Sequence, residues 1–282
     1  MTELTLKRRN ITYMELELRS FASGSSGNCY LIKSENTNLI LDAGLSAKRI
    51  CEGLAVCGTD PKDVGAILIT HEHSDHIKGL QVFTKKAATA KMLMSVGTGC
   101  ALARKSGLPA PERMINIAGG ETFLIGDIYV SAIRLSHDAD EPLGFTFEKN
   151  GRKIAVITDT GYITEDIYEN IKDADLLVLE ANHERNILLM GKYPYPLKHR
   201  ILSDIGHLSN EAAGLAILRV LRDPAKKPDL QVLLAHLSQE NNTPSQAMIT
   251  IKNILEEEGF IEGSHYRMEV APREVAGRPF IL

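Results

Sequence analysis

The chain has 282 residues, a net charge of −4 and a hydrophobic content of 44%, which suits one large α/β domain or two small ones and excludes a disordered chain. No run of roughly twenty apolar residues occurs, and no charged start leads into an apolar segment, so neither a membrane span nor a secretory signal is expected and a cytoplasmic location is. The acidic balance excludes a uniformly basic nucleic-acid coat but not a local basic face.

In chain order, Met1 to Thr12 carries Lys7, Arg8 and Arg9 and reads as a frayed extension, with residues 13–282 as a single domain. Strand-like runs follow at Glu15 to Phe21, Cys29 to Ile32, Leu39 to Asp42, Ala66 to Thr70 and Lys91 to Ser95. A second block spans Ile128 to Leu135, Leu143 to Phe147, Ile154 to Thr158, Leu176 to Glu180 and Leu230 to Ala235. Helical patterns fall at Ala47 to Val56 behind Ser46, at Asn210 to Leu221 behind Ser209, and from the capping box Thr243-Pro244-Ser245-Gln246 to about Glu257. Two blocks of strands, each followed by helices, predict two sheets packed face to face with helices outside. The cysteines Cys29, Cys51, Cys57 and Cys100 show no Cys-x-x-Cys spacing and read as reduced packing residues.

Chemistry concentrates where the apolar runs end. His71-Glu72-His73-Ser74-Asp75-His76 follows Ala66 to Thr70 directly. Imidazoles and carboxylates crowded this tightly repel or desolvate one another unless a cation organises them. In an extended chain His71 and His73 point the same way, while Asp75 and His76 open the next element and face the same space from its amino end. Further polar groups close other strands: His137-Asp138, Asp159-Thr160-Gly161, Glu180-Ala181-Asn182 and His236-Leu237-Ser238.

The order His-x-His-x-Asp-His, then His, Asp and His, resembles the metallo-β-lactamase fold superfamily over almost the whole chain, from Phe21 to His236 and beyond. The resemblance implies an α/β, four-layer αββα sandwich. It implies His71, His73 and His137 as ligands of one metal, Asp75, His76 and His236 as ligands of a second, and Asp159 as the bridging carboxylate. Leu41-Asp42-Ala43-Gly44 matches the superfamily's first motif, whose aspartate supports the histidine loop without binding metal. Glu72 and Ser74 are not expected as ligands. No cysteine replaces a second-site ligand, so the match is to binuclear hydrolases and not to antibiotic hydrolysis. Imidazole and carboxylate donors without thiolate suit Zn²⁺ and tolerate Mn²⁺ or Fe²⁺. Two cations about 3.5–4 Å apart lower the pKa of a shared water and clamp both attacking and leaving oxygens, so hydrolysis is expected, with Asp75 orienting the nucleophile.

Glu180, and His207 within Gly206-His207-Leu208-Ser209, resemble the paired glutamate and histidine of tRNase Z-type phosphodiesterases, in which the glutamate orients a histidine general acid. Phosphodiester cleavage needs that donor because an alkoxide leaves poorly. Between the two motifs lie Arg185, Lys192, Lys198 and Arg200 against Glu184, with Tyr193 and Tyr195 interleaved. Basic groups for phosphates and aromatic faces for bases suit a nucleic-acid end, although a solvated helical face looks the same. Tyr193-Pro194-Tyr195-Pro196 predicts a stiff extended segment. With the loop Ser23-Gly24-Ser25-Ser26-Gly27-Asn28, in which Ser25, Ser26 and Asn28 are candidate phosphate contacts, this insertion is similar to the YycJ/WalJ family of bacterial metallo-β-lactamase-fold proteins. That family implies a 5′ to 3′ DNA exonuclease. The alternatives are a small-molecule thioester or lactone hydrolase of the same fold and a metal-stabilised regulatory scaffold. The 76 residues between Asp159 and His236 are too few for the domain inserted there in β-CASP nucleases.

Overall fold

The computed structural model describes residues 16–105 and 109–282; the expected extension Met1 to Thr12, and Glu15 at the expected start of the first strand, lie outside them. In chain order the strands are β1 (Glu17–Ala22), β2 (Cys29–Lys33), β3 (Asn38–Leu41), β4 (Ala66–Leu68), β5 (Lys91–Met94), β6 (Met114–Asn116) and β7 (Thr122–Ile125). There follow β8 (Ile128–Arg134), β9 (Leu143–Lys149), β10 (Arg152–Ile157), β11 (Leu176–Glu180), β12 (Leu230–Ala235), β13 (Tyr266–Val270) and β14 (Phe280–Ile281). The helices are α1 (Ala47–Val56), α2 (Ser74–Ile77), α3 (Leu80–Lys86), α4 (Val96–Lys105), α5 (Glu165–Ile171), α6 (Arg185–Met190), α7 (Tyr195–Ile201), α8 (Asn210–Arg222) and α9 (Pro244–Glu257).

Among the described residues these strands form two seven-stranded sheets, ordered β14-β1-β2-β3-β4-β5-β6 and β13-β12-β11-β10-β9-β8-β7. The central strands read as unbroken apolar runs because both of their faces are buried. Alternation assigns the faces. Leu39, Leu41, Ala66 and Leu68 of the first sheet meet Ile154, Val156, Leu176, Val178 and Leu233 of the second in the inner core. Ile40 and Ile67 point the other way, onto Ile50 and Leu54 of α1 and Leu80 and Phe83 of α3. Leu177, Leu179, Val232 and Leu234 point outward onto Ile167 of α5, Ile217 and Leu221 of α8, and Ile251 and Leu255 of α9. The expected four-layer αββα sandwich is therefore the one observed.

Strands β3 to β6 run parallel, as do β10 to β13. Strand β9 is antiparallel to both β8 and β10, so β8 shares the direction of β10. Carboxyl ends from both sheets thus collect at one edge of the sandwich. Away from that edge, Gly65, Ala66, Lys91, Ile117, Phe123 and Ile125 help line a cavity of about 430 Å³ between the outer strands β6 and β7.

The expected caps form at Ser46, whose Oγ accepts from Arg49 N at 3.4 Å, and at Ser209, whose Oγ accepts from Ala212 N at 3.1 Å. Thr243 Oγ1 accepts from Gln246 N at 3.1 Å, but the return arm of the capping box is missing, because Gln246 Nε2 donates to Thr250 Oγ1 instead. The expected extended Tyr-Pro-Tyr-Pro segment is corrected more substantially. Tyr195 opens α7 with Pro194 as its N-cap and Pro196 in the first turn. A first turn needs no N–H from proline, and the fixed φ suits it.

Candidate metal centre

Three strand ends at the shared edge have the same unusual backbone. Asp42 after β3, Asp159 after β10 and His236 after β12 lie in the left-handed region, with φ of 60°, 62° and 53°. Each costs about 1–2 kcal/mol in a non-glycine residue. The turn carries each side chain out of the sheet toward a common point. His71 and His73 leave β4 in extended chain, and His73 is the N-cap of the short α2, which supplies Asp75 and His76. His137 follows β8, while Glu180 is the last residue of β11.

Most of these imidazoles have one nitrogen anchored and the other directed inward. His76 Nδ1 lies 2.7 Å from Asp42 Oδ2, His137 Nδ1 2.9 Å from the Gly206 carbonyl, and His236 Nδ1 2.9 Å from Glu180 Oε1. His71 Nδ1 lies 3.0 Å from Thr70 Oγ1, and Thr70 is itself bonded to Asp42 through both its N–H and its hydroxyl. Such outer partners fix ring orientation and leave Nε2 free for a ligand. The inward atoms converge. His137 Nε2 is 3.3 Å from His73 Nδ1, and His236 Nε2 is 3.3 Å from Asp75 Oδ2. One oxygen of Asp159 lies 3.3 Å from His76 Nε2 and the other 3.8 Å from His137 Nε2. Donor atoms of His71, His73 and His137 all lie within 4.8 Å of one another, as do those of Asp75, His76 and His236, and those of His71, His76 and Asp159.

The donor set fits a divalent cation on one further observation. His71 Nε2 and Asp159 Oδ2 are buried and make no hydrogen bond, a cost of about 1–3 kcal/mol for each polar group unless a ligand meets it. Burial also works against the charges here, and their mutual attraction outweighs it. Burial opposes charge on His76, yet Asp42 and Asp159 raise it well above its ordinary value. His236, likewise opposed by burial, is raised to about 10 by Asp159, Asp75 and Glu180. Burial pushes Asp75 and Asp159 up, but hydrogen bonds from His236 and His76 hold Asp75 below its usual range, and the charges of His236 and His76 do the same for Asp159. His71 and His137 are lowered, chiefly by burial.

Glu180, fully buried, carries more than its expected duty. Its Oε1 accepts from His207 Nδ1 at 2.7 Å as well as from His236 Nδ1. Its Oε2 accepts backbone N–H groups of Thr160 and Leu208 at 3.2 and 3.1 Å. Against the effect of burial, His207 holds Glu180 down at about 2. His207 is part-exposed, with a side-chain accessibility of 15%.

The expected substrate contacts divide. Ser25 and Ser26 are exposed on the loop between β1 and β2. Asn28 is instead buried in the centre, its Nδ2 3.1 Å from His76 Nε2 and 3.3 Å from Asp75 Oδ2. Arg185 and Lys192 are exposed, and Tyr193 is half-buried between α6 and α7. Lys198 is engaged within the fold, donating to the carbonyls of Leu189 and Gly191 at 2.7 Å each. Arg200 pairs with Asp138, which joins α7 to the His137 loop. Glu72 turns away from the centre to accept from Asp140 N at 3.0 Å. Sequence reading placed Asp138 and Asn182 among the polar strand ends without giving them a role, and it gave none to Thr70; Asn182 Nδ2 donates to the His236 carbonyl at 2.9 Å. Adjacency to a candidate site residue was the signal available for each.

Residues 37–227 match the model of the beta-lactamase superfamily domain. The chain is 40% identical over 256 residues to exodeoxyribonuclease YycJ of Bacillus anthracis, covering 90% of this chain and 95% of that one. It is 39% identical to exodeoxyribonuclease WalJ of Streptococcus pneumoniae, covering 83% and 86% respectively. The metallo-beta-lactamase fold protein YhfI of Bacillus subtilis superposes with a TM-score of 0.67 at 14% identity, over 93% of this chain and 99% of that one, a likeness of fold. On this evidence the chain belongs to the beta-lactamase superfamily, as a metallo-β-lactamase-fold nuclease of the YycJ/WalJ type.

Proposed function

We propose that the protein is a metal-dependent exodeoxyribonuclease that digests DNA from 5′ to 3′ in the cytoplasm. The observation that carries this reading is the carboxylate of Glu180 gripping both His207 and His236. It sets a proton donor beside the metal cluster, which an ester with a poor leaving group requires. The exodeoxyribonuclease names of the YycJ and WalJ relatives support DNA as substrate. No helix among the described residues is long and apolar enough to cross a membrane.

His71, His73 and His137 would hold one divalent ion and Asp75, His76 and His236 a second, with Asp159 between them; Zn²⁺ or Mn²⁺ suits these donors, and Fe²⁺ is tolerated. Ions so held supply Lewis acidity to a phosphoryl oxygen and make water a competent nucleophile near neutral pH. The protein's own groups do the rest. Asp42 and Glu180 fix the tautomers of His76 and His236. Asp75, ionised and part-exposed, orients the attacking water and accepts its proton. His207, with Nδ1 held by Glu180, presents Nε2 to the substrate and protonates the departing oxygen.

Wild-type and His207→Ala proteins, loaded with Mn²⁺ or Zn²⁺, should be compared on end-labelled duplex DNA and on bis(p-nitrophenyl) phosphate. The expected loss on DNA is ~10²–10⁴-fold, and much less on p-nitrophenolate, which leaves without a proton. A fully metallated wild type that releases no nucleotides from DNA overturns the proposal, and release from the 3′ end overturns its polarity.

A further inference from the structure

Arg273 lies in the segment after β13, more than thirty residues from every candidate site residue. That segment runs back beside the strand end that carries His236: Ala271 N donates to the Leu234 carbonyl at 2.8 Å, and the Pro272 carbonyl accepts from Ser23 N at 3.2 Å. Arg273 Nη2 donates to the Leu237 carbonyl at 3.2 Å, next to His236. Its Cγ stands 3.7 Å from where a Cβ on Gly24 would be, so the side chain lies along the Ser/Gly loop. The same loop touches the centre twice, through Ser23 Oγ accepting from His236 N at 2.9 Å and through Asn28 Nδ2, 3.1 Å from His76 Nε2.

Nη1 of Arg273 is buried and has no hydrogen-bond partner, and among the described residues no carboxylate pairs with this guanidinium. A permanently charged group with a buried, unsatisfied N–H is costly, and a planar fork of donors matches phosphate oxygens in particular. Ser25 and Ser26, exposed, follow Gly24 directly on the same loop. We propose that Arg273, with the Ser25–Ser26 hydroxyls, forms a phosphate-binding subsite that positions a nucleic-acid backbone phosphate beside the metal centre. The subsite rests on the nuclease reading and adds to it. The phosphate belongs either to a 5′ terminus or to an internal diester, and both present the same oxygens.

The test is steady-state cleavage of one oligodeoxynucleotide, carrying either a 5′-phosphate or a 5′-hydroxyl, by wild-type, Arg273→Gln and Arg273→Lys enzymes over a series of salt concentrations. Metal content and thermal midpoint are measured alongside. Arg273→Gln should raise KM about tenfold or more and raise it further than it lowers kcat. It should also flatten the slope of log(1/KM) against log salt by about one unit, which loss of a structural carbonyl contact would not do. Arg273→Lys should recover the slope and part of the KM. Loss of a wild-type preference for the 5′-phosphate in the glutamine variant assigns a terminal phosphate, and equal KM increases on both substrates assign an internal one. If wild type cleaves and Arg273→Gln keeps both KM and slope, the subsite is wrong while the nuclease reading stands. A metallated wild type that cleaves neither oligonucleotide fails the nuclease reading itself.

Discussion

Two buried histidines that follow neighbouring strands show how partners decide what an imidazole does. His236 is raised to about 10 by three carboxylates. His183, only 1% exposed, leaves both ring nitrogens without a hydrogen bond, and burial lowers it to about 4. Its folded-state value lies below the unfolded one, so the stability it contributes is present above pH ~6.5 and is lost as pH falls through about 4. That change amounts to about 3 kcal/mol at most. Urea denaturation of wild type should therefore weaken between pH 7 and pH 4 more steeply than that of His183→Leu. Equal slopes would mean that His183 is solvated in the native state.

At the scale of elements, the left-handed strand ends depend on ordinary residues that hold them in place. His236 sits at φ 53°, and its carbonyl is fixed by Asn182 from the end of the neighbouring strand. Asn182→Ala should lower stability by about 1–3 kcal/mol through a lost buried hydrogen bond. It should also weaken metal binding about tenfold by loosening a ligand's support; competitive chelator titration checks the second effect independently of activity. None of this was legible in the sequence. The long central strands and α1, α8 and α9 were, because full burial leaves apolar runs and longer amphipathic helices show their period. The clustered histidines were legible because residues His71 to His76 sit together. Helices of four to seven residues, such as α2 and α5, span too few turns to show a period. Strand β13 alternates polar and apolar residues at a sheet edge and was passed over. Asn182 was marked only by its place beside Glu180, whereas Arg273 acts through space from a distant segment and nothing in its neighbours marks it.

At the scale of the molecule, the donors divide between the layers. His71, His73, Asp75 and His76 come from the first sheet and its helix, whereas His137, Asp159 and His236 come from the second. Ligands that bind only the folded state stabilise it by about 4 kcal/mol at a thousandfold excess over Kd. Removing metal with a chelator should lower the thermal midpoint, and restoring Zn²⁺ or Mn²⁺ should return it. A midpoint indifferent to chelation, with metal loss verified by elemental analysis, would contradict a cation shared by the two sheets.

Metal held across these donors would clasp the sandwich along one edge, away from the 430 Å³ cavity that β6 and β7 flank. The sandwich would then resemble a book held shut by a clasp. In deuterium, demetallation should not accelerate amide exchange evenly. The gain should be largest at Leu41, Leu68 and Ile157, close to the donor cluster, and should fade toward Ile115 and Leu124, which line the cavity.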